Sequence, residues 1–463
     1  MWRSLYLKLW GFTLLVGGSL ALNSVWASPH GPTAPVTQQR AKAPRLTPAD
    51  LRYKGAFAYP AGDEWTYSGH ALAYYPSGDA TGPDDGYPGS LFAVGHAWQQ
   101  QVGEINIPAP VITTVLDALP QATVLQAQGD ITGGWLNHCT YDPGCEYREV
   151  AGLEYLDNVD KIAWNLRDWY NVDGGDQDSL GWSERNLSNA QGVWHIGPRN
   201  NDAFHNAKTS HYLFKAPVEF AAQHLGGKWL LAGNARPAGA LGGSQGPTLY
   251  ATAPWTDGNP PASGQNLTAL ALLYYPPVDG CVENNDDARC LYPHYRADDS
   301  WGGGAWIEAG GKSAVILMGR KGLGNSCYGI PGQECQPSLC TTDKGWHADP
   351  YEPQLLFYDP ADLAAVAAGA KEPWTVLPYT IYRPVNELLR PDCAILNAVA
   401  YDAAHHLIYA TESQAGPGGE TVVHVWEVQN EDNNGTPTPV PTATVTVTPA
   451  LSNPIFLPVV AQE

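Results

Sequence analysis

One local pattern returns several times along the chain and restricts its fold more than any other feature: a short apolar strand, a Gly, Asp or Asn turn, a second apolar strand, then a variable loop and a third. One copy reads His70-Ala-Leu-Ala-Tyr-Tyr75, Ser90-Leu-Phe-Ala-Val-Gly95 and Val102-Gly-Glu-Ile-Asn-Ile107. Another reads Asn397-Ala-Val-Ala-Tyr401, Leu407-Ile-Tyr-Ala-Thr411 and Thr421-Val-Val-His-Val-Trp426, and further copies start near Gly152, Pro217 and Gly304. Such runs, bounded by turn residues, are strands with hairpin-like connections. The copies recur every ~65 to ~90 residues, longer than the ~40–50 of regular propeller repeats, so a propeller built from them carries inserted loops. The fold expected is all-β: a β-propeller-like repeat of short antiparallel strands in five or six blades. β-Sandwich domains are the alternative, because strand triplets alone do not fix closure. One helix is expected at Asp359-Pro-Ala-Asp-Leu-Ala-Ala-Val-Ala-Ala368, where Asp359 can cap, Pro360 suits the first turn and Gly369 ends the run.

Composition supports the strand reading. The 49 Gly and 39 Pro supply turns, and the 17 Trp and 24 Tyr suit pleated, half-buried surfaces. Acidic residues outnumber basic ones 46 to 25, a net charge of −21, and a field of that sign repels a phosphate backbone. Nucleic acid is therefore excluded as a partner. With 15% charged residues the chain is not a disordered polyelectrolyte either.

Both ends carry export features. Arg3 and Lys8 precede an apolar stretch over 9–22, and small residues at Ala27 and Ser28 follow, the order of a secretory signal peptide. The apolar run falls short of the ~20 residues of a spanning helix, so no transmembrane segment is expected once the signal is cleaved. Near the other end, Asn433-Asn-Gly-Thr-Pro-Thr-Pro-Val-Pro-Thr-Ala-Thr-Val-Thr-Val-Thr-Pro449 has too little bulk for a core and reads as an extended stalk. The expected order is a signal peptide (1–27), a flexible N-terminal segment (28–53), the propeller-like domain (54–429), a Thr/Pro-rich stalk (430–450) and a short tail (451–463). The stalk and its Phe456-Leu-Pro-Val-Val460 tail resemble the C-terminal sorting tails of bacterial cell-surface proteins. The body, with Ser90-Leu-Phe-Ala-Val-Gly-His96 and Tyr358-Asp-Pro-Ala-Asp-Leu363, resembles a group of uncharacterised secreted bacterial proteins with a propeller-like body. That resemblance implies a secreted or cell-surface location and no particular activity.

The eight cysteines agree with an oxidising compartment. Eight allow 105 pairings, and sequence neighbours such as Cys139 with Cys145 and Cys281 with Cys290 are the favoured ones. No Cys-x-x-Cys pair is present to suggest zinc.

Several motifs bear on chemistry. Gly242-Gly-Ser-Gln-Gly246 has the form of a nucleophile elbow, but a strand-like segment rather than a helix follows, so Ser244 reads as part of a glycine-rich loop. Asp173, Asp176 and Asp178 form a carboxylate-rich loop of the kind calcium needs, although the spacing is not that of an EF-hand, and Glu283-Asn-Asn-Asp-Asp287 is a second such cluster. His405 and His406 are adjacent and so point to opposite faces of a strand; His138, His195, His205, His211 and His347 could meet only in space. The richest stretch in acids and indoles is 154–194. There Trp164, Trp169 and Trp182 are candidate ligand platforms, and Glu154, Asp157 and Asp168 are candidate catalytic acids. A glycosidase needs two such carboxylates ~5–5.5 or ~6.5–9.5 Å apart. Two functions follow: a binding module for extracellular glycan or protein, or an extracellular carbohydrate-active hydrolase or lyase using paired carboxylates. Convergence of two acids and a tryptophan in one depression favours the enzyme, and their dispersal favours binding. No motif has both the residues and the context for catalysis, which tilts the sequence toward binding.

Overall fold

The computed structural model describes residues 44–137, 148–168, 176–235, 243–255, 260–279, 281 and 288–429, apart from the Pro83 side chain. The signal, stalk and tail segments, Cys139, Cys145, His138 and the 283–287 acidic cluster lie outside the described residues.

The chain opens with β1 (Leu51–Ala58) and then builds blade 1 from β2 (Leu72–Tyr75), β3 (Ser90–Val94), β4 (Val102–Asn106) and β5 (Val124–Gly129). Blade 2 is β6 (Arg148–Leu156), β7 (Lys161–Asp168), β8 (Leu180–Ser183) and β9 (Gln191–Ile196). Blade 3 starts after the short helix α1 (Asn206–Thr209) with β10 (Leu213–Lys215), passes through α2 (Val218–His224), and continues in β11 (Leu230–Ala232) and β12 (Leu249–Thr252). The chain then lends β13 (Asn266–Leu267) to the edge of blade 2, parallel to β9, before β14 (Ala269–Leu273) completes blade 3. Blade 4 is β15 (Ser300–Ala309), β16 (Lys312–Gly322), β19 (Tyr351–Tyr358) and β20 (Thr380–Tyr382). The β17 (Cys327–Gly329) and β18 (Gly345–His347) hairpin is inserted between β16 and β19, and α3 (Pro360–Ala367) between β19 and β20. Blade 5 takes β21 (Leu396–Asp402), β22 (Leu407–Glu412) and β23 (Val422–Val428), and its outermost strand is β1.

The result is a five-bladed β-propeller, which settles the blade number and excludes the sandwich alternative. The innermost strands β21, β2, β6, β10 and β15 pack side by side in a closed ring. Pairing of β1 with β23 over Leu51↔Val428 to Ala58↔Val422 joins the two ends of the domain in one blade. A network centred on two fully buried side chains, His424 and Glu412, reinforces this closure. The Tyr53 hydroxyl on β1 meets His424 Nδ1 at 2.9 Å, and His424 Nε2 meets Glu412 Oε2 at 2.9 Å. The same carboxylate accepts the Leu389 and Arg390 N–H groups at 2.9 and 2.8 Å.

Each of the five main apolar clusters lies between two neighbouring blades, so most strands are buried on both faces. On β7, Ile162, Trp164 and Leu166 face blade 1 while Ala163 faces blade 3, the period-2 alternation of a strand. This is why the sequence shows nearly continuous apolar runs rather than an apolar/polar alternation. Where innermost strands come closest, only glycine fits: a Cβ on Gly152 would lie 2.3 Å from the His211 carbonyl oxygen. The connection from β4 to β5 leaves its own blade and covers the outer edge of β1. Ala56 and Val111 exchange two hydrogen bonds of 3.0 Å, and the Ala58 N–H donates to Pro120 O at 2.9 Å. An otherwise open sheet edge is thereby paired.

Three local expectations change. The blade 3 copy begins at Leu213, and Pro217 caps α2 instead of starting a strand. His405 and His406 sit in the tight turn between β21 and β22, with His406 at φ +57, so they are not on a strand. Within the segment expected to be flexible, Leu46 is fully buried and its N–H donates to Ser313 O at 3.2 Å. The helix forms as expected: the Asp359 side chain accepts the Ala361 N–H at 2.9 Å, and Gly369 has φ +69. Cys281 pairs with Cys290, Cys327 with Cys335, and Cys340 with Cys393.

Candidate functional site

In a propeller every innermost strand runs the same way, which gives the two ends of the ring different characters. The end where these strands begin, called the upper face here, receives the long connections 197–212 and 323–350 and the β3–β4 connection 95–101. The lower face holds the tight turns 157–160, 310–311 and 403–406, together with α2 and α3.

The sequence candidates divide between these faces. Glu154 lies near the lower end of β6, 3.3 Å from Lys215 Nζ on β10, and Asp157 in the following turn is 3.1 Å from the same ammonium. Burial pushes the Glu154 carboxyl up to about 7, against the pull of Lys215. Asp168 lies at the upper end of β7 opposite Arg148, whose guanidinium is fully buried and donates from Nε to Asp168 Oδ1 at 2.8 Å. The β6–β7 register puts Glu154 and Asp168 roughly 20 Å apart along the blade, well beyond glycosidase spacing. Trp164 is fully buried in the core between blades 1 and 2, and its indole N–H donates to Ser183 Oγ at 2.9 Å. Trp182 packs in the core between blades 2 and 3 beside Trp255. Trp169 lies outside the described residues, as does Asp173.

The remaining aspartates of the acidic loop are engaged by protein groups. Asp176 accepts the Asn200 N–H at 2.7 Å and lies 3.5 Å from His195 Nε2, while Asp178 is ion-paired with Arg199. Among the described residues no group of three His, Cys, Asp or Glu side chains is placed to hold a metal ion. His205 caps α1, and His211 Nδ1 accepts the Ala235 N–H at 2.8 Å, so each has a structural bond. Ser244 is buried, with its hydroxyl accepting the Tyr275 N–H at 2.8 Å, the loop role expected for it.

The strongest surface constellation lies at the upper seam of blades 1 and 2. Trp98, in the β3–β4 connection, is 77% exposed, the most exposed tryptophan among the described residues. Tyr67, 45% exposed, meets the His96 ring edge-on at 5.7 Å. The connection is fixed to blade 2 by Gln100, whose side-chain oxygen accepts the Val150 N–H at 2.9 Å, and to the preceding loop by the His96 N–H on Glu64 O at 2.8 Å. Next to it, Glu149 on β6 is ion-paired with Arg167 on β7, its cross-strand partner. His70, two residues before β2, feels both charges. Burial lowers its imidazole below the ordinary pKa; Glu149 opposes that shift, and Arg167 and His96 add to it. The His70 Nε2 and Arg167 Nε atoms are enclosed and have no hydrogen-bond partner. The exposed rings can stack on one face of a ligand, and the partly accessible carboxylate–guanidinium pair beside them can hydrogen-bond its hydroxyls. Sequence reasoning concentrated on 154–194 and missed Trp98; the signal was an indole in a short connection, His96-Ala-Trp98-Gln-Gln100, between two strands.

No protein-family model matches this chain, and no curated protein matches its sequence.

Proposed function

We propose that this protein is an exported binding module that holds an extracellular glycan on its upper face at the seam of blades 1 and 2. The observation that carries the reading is the exposed Trp98 indole in the same connection as His96, whose ring is close enough to His70 to act on it together with Glu149 and Arg167. An indole stacks on the apolar face of a sugar ring, and the fixed ion pair offers both acceptors and donors to its hydroxyls. Export is supported by the charged-then-apolar leader and by three disulfides, which persist in oxidising compartments. The Thr/Pro-rich segment 430–450 would hold the propeller away from the surface that displays it. Binding is favoured over hydrolysis because the candidate acids Glu154 and Asp168 lie on opposite faces and each is engaged by a buried or half-buried cation.

The test is a glycan array probed with the mature protein, followed by prolonged incubation of each bound glycan and analysis of its products. Specific, saturable binding with intact glycan supports the proposal. Absence of binding across a broad array by folded protein refutes the carbohydrate assignment, and cleavage refutes the choice of binding over catalysis.

A further inference from the structure

The acceptor triplet for a sugar on an asparagine side chain, Asn-x-Ser or Asn-x-Thr, occurs at Asn186, Asn266 and Asn434. Asn434 lies outside the described residues. The other two both belong to blade 2, and the fold treats them differently. Asn186-Leu-Ser188 occupies the β8–β9 turn, and both of its polar residues are exposed. Leu187 lies between them at φ +65 with its side chain packed into the core of blades 1 and 2, which turns the chain back on itself. Ser188 is thereby brought against the Asn186 amide, whose Oδ1 accepts the Ser188 hydroxyl at 2.6 Å and the Ser188 N–H at 3.2 Å. Asn186 Nδ2 makes no hydrogen bond among the described residues. The turn is braced by the Leu187 N–H on Glu184 O at 2.9 Å and by the Lys161–Glu184 and Arg185–Asp160 ion pairs, each at 2.6 Å. Asn266-Leu-Thr268 is instead extended at β13, where Asn266 pairs with His195 and its Oδ1 accepts from Arg199 Nη1.

We propose that Asn186 is the attachment site of an N-linked glycan on the exported protein, and that Asn266, with the same triplet, is not. The reacting atom is Nδ2, whose lone pair is delocalised into the amide carbonyl. A hydroxyl donating to Oδ1 draws electron density onto that oxygen and makes the Nδ2 proton easier to remove. In the transfer, Nδ2 bonds to C1 of a sugar carried on a polyprenyl diphosphate, and the C1–O bond to the diphosphate breaks. The Nδ2 proton passes to a base of the transferring enzyme, and the polyprenyl diphosphate leaves. At Asn266 the strand pairing and the Arg199 guanidinium hold the amide away from this geometry. Since β8 runs from the upper to the lower end of blade 2, the β8–β9 turn lies on the lower face, and a glycan there leaves the Trp98 seam open. The assignment rests on the export reading above and is independent of which ligand the seam holds.

The test is mass spectrometry of the full chain purified from its natural source, from the culture medium and from cell extract, with peptide mapping across both triplets. Exported protein should carry a sugar mass on the peptide containing Asn186 and none on the peptide containing Asn266. Variants made in the same source separate the chemistry of the triplet from the shape of its turn. Asn186→Gln and Ser188→Ala should each lose the sugar completely, Ser188→Thr should keep it, and Asn266→Gln should leave the total unchanged. All three substituted positions are exposed, so the variants should be secreted at the level of the parent. Exported protein with a bare Asn186, a sugar on Asn266 in its place, or a sugar retained in Ser188→Ala would overturn the inference and leave export intact. A chain found only in the cell extract with residues 1–27 still attached would overturn the export reading and this assignment with it.

Discussion

Glu412→Gln is the most informative perturbation of the ring closure, because one carboxylate serves three partners: two adjacent backbone N–H groups and a buried histidine. Its Oε2 accepts from Leu389 and meets His424, and its Oε1 accepts from Arg390. An amide of the same shape presents a donor where one oxygen stood. If that donor faces Arg390, one backbone N–H is orphaned. If it faces His424, the imidazole can change tautomer, but the Leu389 N–H then loses its acceptor. Either arrangement leaves an enclosed N–H unpaired and removes charge from the surviving bonds, which together cost about 2–4 kcal/mol. Tyr53→Phe, which removes only the hydroxyl on His424, should cost about 1 kcal/mol. A chain of this size loses only about 1 °C in Tm per kcal/mol, so urea titration followed by tryptophan fluorescence is the better assay. A Glu412→Gln stability within about 0.5 kcal/mol of the parent would refute the claim that this network secures the closing blade.

Other outcomes follow from the same geometry. Gly152→Ala places a methyl 2.3 Å from the His211 carbonyl, and backbone there cannot rotate away, so a loss of about 1–3 kcal/mol by urea titration is expected despite the smaller entropic gain of alanine. Opening the Cys340–Cys393 bridge, which spans 53 residues, by the paired Cys340→Ser and Cys393→Ser changes should cost about 4 kcal/mol in the chain-entropy description. The same protein should then become insensitive to reductant at that bridge. For Glu154, raised from 4.5 to about 7, the folded state holds a proton that the unfolded state has released, so its contribution to stability is full below pH 4.5 and is lost as pH rises toward 7. Glu154→Gln should remove that slope; parallel stability profiles for parent and variant would contradict the assignment.

How much of this was legible before the structure depends on the range of the interactions involved. The triplets at 70–107 and 397–426 were readable because their strands are four to seven residues long and buried on both faces. Blade 3 was misplaced because β10 and β11 have only three residues each, too few for a periodic signal, while Pro217 begins a helix. The α3 helix was readable because its cap, proline and terminal glycine are local. By contrast, Glu412, His424 and Tyr53 are brought together only by closure of the ring. The candidate acids were a dense stretch in sequence, yet β6 and β7 carry them to opposite faces, since a strand spreads neighbours along about 3.3 Å per residue. Burial likewise separated indoles that look alike in sequence: Trp164 became core and Trp98 surface.

The most direct test of the binding account is a titration of the best array glycan against the parent protein and Trp98→Ala. The indole is exposed, so the variant should fold with unchanged stability, and affinity should fall about tenfold or more if the ring is the anchoring contact. An unchanged affinity in a folded Trp98→Ala protein would contradict the placement of the ligand at this seam.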